Sequence, residues 1–327
     1  MFSIIICTYN PDYTILEKLC ITVEEFKTDQ LIELIIIDNN SLIPVSENSV
    51  LKKMILRNKI SIKIFTEPEP GLTAARIAGI NFTQYEWIIF FDDDNLPDHE
   101  YLDQVLAMIN QHENVGIWGP GQVKVKYLNG SDDFLESTKY IFQQRHNKDT
   151  AFARNSFWQS CYPYGTGMIV RRDIAKLYVS MVQQGKYTLT DRNKESMSSG
   201  GDVQIVLTGI KMGYYAGVGS GIKITHLINA SKSTYSYILR LQYSTASAFI
   251  KAHNQVFPEK PIIPNYASNI SILKMIYSCF RIYKKNLPQK HFNLLLAKRM
   301  GEVNAGILSN DQTKPLVLKI YEKIIHV

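Results

Sequence analysis

Three consecutive aspartates, Asp92, Asp93 and Asp94, follow the apolar run Trp87–Phe91 without a break. Neighbouring carboxylates repel one another, and desolvation at a buried strand end adds to the penalty. In a solvated turn such a triplet needs no explanation. Directly after an apolar strand it asks for a divalent cation. All-oxygen ligation suits Mg²⁺ or Mn²⁺, which bind through one or two carboxylates and complete their shell with water and phosphate oxygens.

Four further residues stand where they could act with that triplet. Asp38 ends the run LIELIIID and either caps the next turn or accepts from a uracil imide or ribose hydroxyls. Arg76, in GLTAARIAGI, could pair with a diphosphate or with a nearby carboxylate. Asp202 follows two glycines and opens VQIVLTGI, either as a helix N-cap or as a general base for an acceptor hydroxyl. The polar stretch 188–201, TLTDRNKESMSSGG, has no core pattern and is expected to be a mobile segment that closes over substrate. His226 ends GIKITHL and is either a satisfied structural residue or, as neutral imidazole, a third ligand for the cation. Trp158, Tyr162 and Tyr164 cluster before GTGM, where their rings could stack on a sugar or pack in a core.

These residues need a frame. FSIIICTYN, LIELIIID, ISIKIFT and EWIIFFD read as strands, and the segments between them as helices. Continuous apolar strands alternating with helices imply a parallel sheet covered on both faces. Three of the strands end in Thr8-Tyr9-Asn10, Asp38-Asn39-Asn40 and Asp92-Asp93-Asp94. Ligands bind outside the carboxyl ends of such strands, so the polar clusters fall on the ligand edge. After residue 115 short strands with Gly/Pro turns take over, and AGVGSGIKITHLI reads as a long strand. Tyr235 to Ala252 reads as helix, Pro258 to Pro264 as a linker, and Ile270–Ile325 as helical.

The composition narrows the function classes. With 327 residues, 45% hydrophobic and 20% charged, the chain can bury a large core and is not disordered. No apolar run reaches the roughly 18 to 20 residues that span a bilayer. MFSIIICTYN lacks a basic flank and reads as a first strand, not a secretion signal. Cys7, Cys20, Cys161 and Cys279 form no CxxC pair, which points to free thiols and a cytoplasmic setting. Residues 251–327 hold twelve Lys/Arg against four Asp/Glu, whereas the first 250 hold 24 against 26. A near-neutral body argues against nucleic acid as a partner. The basic tail suggests peripheral contact with an anionic membrane face through 270–300, or else a solvated helix. GVGSGI lacks the last glycine of a dinucleotide fingerprint, and no GxxxxGK, HExxH or GxSxG motif occurs.

Taken in order, SIIICTYNP, ELIIIDNNS, EPGLTAARIAGI, WIIFFDDDNLP, YGTGMIVRRD, GGDVQIVLTGIKMGYYAG and ITHLI resemble the family 2 glycosyltransferases over residues 3 to 230. The resemblance implies a GT-A fold: an α/β, Rossmann-like, mostly parallel central sheet flanked by helices, here with a helical C-terminal extension. It implies a catalytic domain over 1–255, with a nucleotide-binding half 1–115 and an acceptor-side half 116–255, followed by the helical region 256–327. The implied donor is a nucleotide-diphosphate sugar, with a uridine nucleotide expected, and transfer inverts the anomeric carbon. Thr8, Tyr9 and Asn10 would line the nucleotide pocket, Asp38 would meet the base and Arg76 the donor. Asp92 and Asp94 match the ends of the DxD element, with Asp94, Asp92 and His226 on Mg²⁺ or Mn²⁺ and Asp93 near the ribose or diphosphate. Asp202 matches the aspartate of the Glu-Asp base motif, and Trp158 lies on the acceptor side. The acceptor would be a glycan or lipid-linked hydroxyl, with polysaccharide biosynthesis as the expected setting; a polyprenyl-phosphate sugar transferase and a silent nucleotide-sugar binding module are the alternatives. Two positions depart from the pattern. Gly201 replaces the glutamate before the base, and Ile77 an asparagine after the donor-helix arginine.

Overall fold

The structure, a computed structural model, describes residues 1–189, 191, 197, 199–263, 268–286, 288–309 and 312–327. The β-branched runs become the strands β1 (Phe2–Thr8), β2 (Ile32–Asp38), β3 (Ser61–Thr66) and β4 (Trp87–Asp92). Between them lie α1 (Tyr13–Glu24), α2 (Ser49–Arg57) and α3 (Leu72–Phe82). Asp12 starts α1 by accepting the N–H groups of Thr14 and Ile15.

β5 (Asn95–Pro97) and α4 (Tyr101–Gln111) follow, then β6 (Val115–Tyr127), α5 (Asp133–Thr138), β7 (Arg145–His146) and β8 (Ala151–Ala153). β9 (Met168–Arg171), α6 (Arg172–Gln183), α7 (Gly201–Lys211) and β10 (Tyr215–Ile228) complete the sheet layer. The C-terminal part is helical: α8 (Tyr235–Val256), α9 (Asn269–Asn286), α10 (Gln289–Ser309) and α11 (Leu316–Ile325).

Among the described residues one sheet runs in the order β3-β2-β1-β4-β9-β6-β10-β5, with β7 added to β6 and β8 to β10. The β3-β2-β1-β4 portion is parallel throughout, as is β6-β10. β9 joins the two portions by running antiparallel to both β4 and β6. Along β1 and β2 every second side chain enters a different layer. Ile4, Ile6, Leu34 and Ile36 pack with α1, α2 and α4, whereas Ile5, Ile35 and Ile37 pack with α3, α6 and α7. Burial on both faces is why these strands read as continuous apolar runs. The expected fold class is the one observed.

The C-terminal helices share a separate core, built from Tyr243 of α8, Ile272 of α9, Ala297, Met300 and Val303 of α10, and Leu318 and Ile325 of α11. Among the described residues no helix is long and apolar enough to cross a membrane.

The stretch 188–201, expected to be mobile, lies partly outside the described residues, at 190, 192–196 and 198. Of the remainder, Leu189, Asp191 and Gly200 are buried. Asp202 is not the cap of α7: Gly200 holds that position, and Asp202 is the second residue of the helix.

Candidate active site

A cavity of about 360 Å³ lies where β1, β2 and β4 end. Its wall includes Thr8 and Tyr9 at the end of β1, Asn39 after β2, the triplet Asp92–Asp94 at the end of β4, Arg76 from α3 and Asp202 from α7. His226 of β10 and Lys232 beyond it close one end. A larger cleft, about 660 Å³, lies elsewhere against Lys18, Lys124 and Lys223, with one carboxylate, Asp98, in its lining. The chemistry-bearing side chains are in the smaller one.

The triplet is not three equivalent acids. Asp94 is buried and its carboxylate is fully engaged. Lys232 Nζ lies 2.6 Å from Oδ2, while His226 Nε2 is 3.3 Å and Asn95 Nδ2 3.0 Å from Oδ1. Burial alone would raise the Asp94 pKa; Lys232 and then His226 overcome it and hold the carboxyl well below the usual range. Asp93 accepts a hydrogen bond from the Thr8 hydroxyl. Its burial, reinforced by the charge on Asp94, pushes it up to about 6. Asp92 ends β4, half-buried, in the cavity wall.

His226 has a defined polarity. Nδ1 faces the Phe142 carbonyl oxygen at 3.0 Å and must donate to it. Nε2 therefore turns towards Asp94 either a proton, as imidazolium, or a lone pair that needs a cation. Burial favours neutral imidazole, but Asp94 outweighs it and raises the pKa.

At the other end, Arg76 is 5% exposed and its Nη1 lies 2.6 Å from Asp191 Oδ2. Asp191 Oδ1 accepts the N–H groups of Gly200 and Gly201 at 2.7 and 2.8 Å, satisfying donors at the start of α7. A Cβ on Gly201 would sit 2.2 Å from Asp191 Oδ2. The departure from the Glu-Asp pattern thus has a local reason. Asp191 fills the space beside Asp202 that a side chain at position 201 would need, and it supplies a carboxylate there.

Asp202 accepts the Gly165 N–H through Oδ2 at 3.0 Å and the Val203 N–H through Oδ1 at 2.9 Å. Burial raises its pKa, Arg76 opposes the rise and Asp191 adds to it. A Cβ on Gly165 would lie 3.2 Å from Arg76 Nη2 and 3.3 Å from Asp202 Oδ2, so only a glycine leaves that corner open. Cys7 also lines the cavity, but burial pushes its thiol up to about 12. It is a wall at neutral pH, not a nucleophile.

Several expected residues sit at the margin. Both Asp38 oxygens accept backbone N–H groups, from Ser41 and Val45, each at 2.9 Å. Asn10 adopts φ 50° and accepts from Leu42 N–H at 2.8 Å, so it fastens the loop after β2 to the end of β1. Neither is among the residues lining the cavity. Asn39, which the sequence placed in a strand-end cluster without a role of its own, donates to the Glu67 and Glu69 carbonyls and accepts from Gly71 N–H, fixing the rim before α3. Trp158 packs against Tyr162, Tyr164 and Phe249 and is not among the lining residues.

A model of Glycosyl transferase family 2 matches residues 3–178, more than half of the chain. The chain belongs to this glycosyltransferase family. The match takes in the strand-end clusters and Arg76 but ends before α7 and β10, so Asp202, His226 and Lys232 lie beyond it. No curated protein matches the chain. Among solved structures it is similar to S. aureus TarS 1–349, at 14% identity over 95% of this chain and 90% of that one, with a TM-score of 0.48. The same S. aureus protein in complex with UDP-GlcNAc aligns at 15% identity over 95% and 90% of the two chains, with a TM-score of 0.46.

Proposed function

We propose that this glycosyltransferase moves a sugar from a nucleotide-diphosphate sugar, with uridine as the base, to a hydroxyl of a glycan or lipid-linked acceptor, inverting the anomeric carbon. One observation carries the proposal. A single cavity joins a carboxylate surrounded by cations, Asp94, to a carboxylate whose pKa is raised, Asp202. The first suits the end where a diphosphate departs, and the second the end where a hydroxyl gives up its proton.

Among the described residues no three His, Cys, Asp or Glu side chains converge as a wholly protein-bound ion requires. Mg²⁺ and Mn²⁺ need less, because phosphate oxygens and water complete their shell. Asp94 and His226 already converge, and the His226 Nδ1 donates to a carbonyl, the arrangement that aims Nε2 at a metal. These residues fit such an ion, with Asp92 as the further carboxylate. When bound, the ion stabilises negative charge developing on the leaving diphosphate.

The chain's own side chains do the rest. Lys232 brings an ammonium to the same end as Asp94, where it can also donate to phosphate oxygens. Tyr9, about half exposed at the cavity mouth, offers a ring face for the base. Arg76 stays charged, since Asp191, Asp202 and Asp92 outweigh its burial, while the Gly165 and Val203 N–H groups hold the Asp202 carboxylate. Asp202 then accepts the acceptor hydroxyl proton as the oxygen attacks. A single displacement from the face opposite the diphosphate inverts the centre.

A thermal-shift panel of UDP-, GDP-, CMP- and dTDP-sugars with and without Mn²⁺ tests the donor. The expected result is the largest rise for a UDP-sugar with Mn²⁺, since a ligand that binds only the folded state stabilises it. No rise with any of them would remove the donor assignment.

A further inference from the structure

The outer surface of the C-terminal helices interleaves exposed apolar and basic side chains. On α11 the exposed positions are Leu316, Lys319, Ile320, Lys323 and Ile324, spaced three and four apart along one face. The opposite face, with Leu318 and Ile325, is buried in the C-terminal core. α9 repeats the arrangement. Ile272 and Cys279 turn inward, while Ile270, Leu273, Lys274, Tyr277 and Arg281 turn outward. These are not marginal exposures: Ile270 and Ile324 are 66% and 67% exposed, and Tyr277 is 64%.

The two helices lie side by side. The Val317 N–H at the start of α11 donates to Asn269 Oδ1 at the start of α9, and their inner faces enter one core. Their outer faces carry cations but no acid. α9 contains no Asp or Glu at all. The one acid of α11, Glu322, faces inward, accepting from the Tyr243 hydroxyl and Lys314 Nζ at 2.6 Å each.

We infer that the outer face of α9 and α11 lies on an anionic phospholipid surface. Apolar side chains interleaved with lysine and arginine match the boundary between acyl chains and acidic headgroups. A second copy of the chain is a poor occupant, because a two-fold contact would set lysine against lysine with no acid on the face. The surface extends the contact expected for 270–300 to a second helix, 316–325; the side chains of 282 and 284–287 lie outside the described residues. The inference rests on the proposed function only for its purpose, which is to bring the cavity to a lipid-borne acceptor.

The test is flotation of the full chain with phosphatidylcholine vesicles, with and without phosphatidylglycerol. The chain is expected to float with the anionic vesicles, to stay behind with the neutral ones, and to be released by high salt. Ile320→Glu with Ile324→Glu should lower its partition at least tenfold. Lys319→Gln with Lys323→Gln, conservative at exposed positions, should remove the preference for anionic lipid. Wild-type chain that ignores anionic vesicles, or variants that float as it does, would overturn the inference. So would a dimer in light scattering that the Ile320→Glu, Ile324→Glu variant dissociates. The UDP-sugar thermal shift, read on the same samples, keeps this result separate from that of the donor assignment.

Discussion

The Lys232 ammonium lies 2.6 Å from Asp94 Oδ2, so this buried carboxylate, held well below the usual range, already holds a cation supplied by the chain. A divalent ion at Asp94 has to share or take that place. Lys232→Met should therefore tighten Mn²⁺ binding in the absence of donor by about tenfold, roughly 1.4 kcal/mol. The same change should lower thermal stability without metal, because removing one partner of a buried pair leaves a charge uncompensated. Titration calorimetry with Mn²⁺ alone decides the point. An unchanged affinity would mean that Lys232 does not stand in the ion's way.

Asp202→Asn keeps the shape of the cavity and removes the proton acceptor. Turnover should fall at least about a hundredfold, the lower end of a general-base contribution, while donor affinity holds. Near-normal turnover in a steady-state assay would take the role of base away from Asp202 and favour a phosphate acceptor, which needs little help from one.

As the proposed base, Asp202 would work only when ionised, so activity is expected to fall as pH drops through its pKa. Burial, with Asp191 beside it, raises that pKa, and the acid limb should lie above the ordinary carboxylate range. Asp191→Asn removes a neighbouring negative charge and frees Arg76 to pair with Asp202. Both effects act in one direction, and the acid limb of kcat/KM, which reports the free enzyme, should move to lower pH. A limb that stays where it was would uncouple the two carboxylates.

Much of the frame was legible in the sequence because it depends on long, regular signals. Apolar runs buried on both faces announced β1, β2 and β4, and their polar ends marked the cavity edge at Thr8, Asn39 and Asp92. Single side chains that act through tertiary contact were not legible. Lys232 sits in a polar turn six residues past His226, and nothing in its neighbours signals that it folds back onto Asp94, 138 residues earlier. Asp191 lay in a polar stretch that reads as mobile and without a core pattern, yet it is almost fully buried and paired with Arg76. The one clue to it was Gly201: an absent side chain beside a buried acid suggests that something else fills the space. Asp38 shows the converse, since a strand-end acid can spend both oxygens on the loop that follows it.

The proposed function requires Asp94 to serve a cation that in turn serves a nucleotide diphosphate. Calorimetric titration of UDP into wild-type and Asp94→Ala protein, each with Mn²⁺ and with EDTA, tests it most directly. Tight binding is expected only for the wild type with Mn²⁺, with a loss of at least about tenfold in the other three arms, roughly 1.4 kcal/mol. Equal affinity in all four would contradict it.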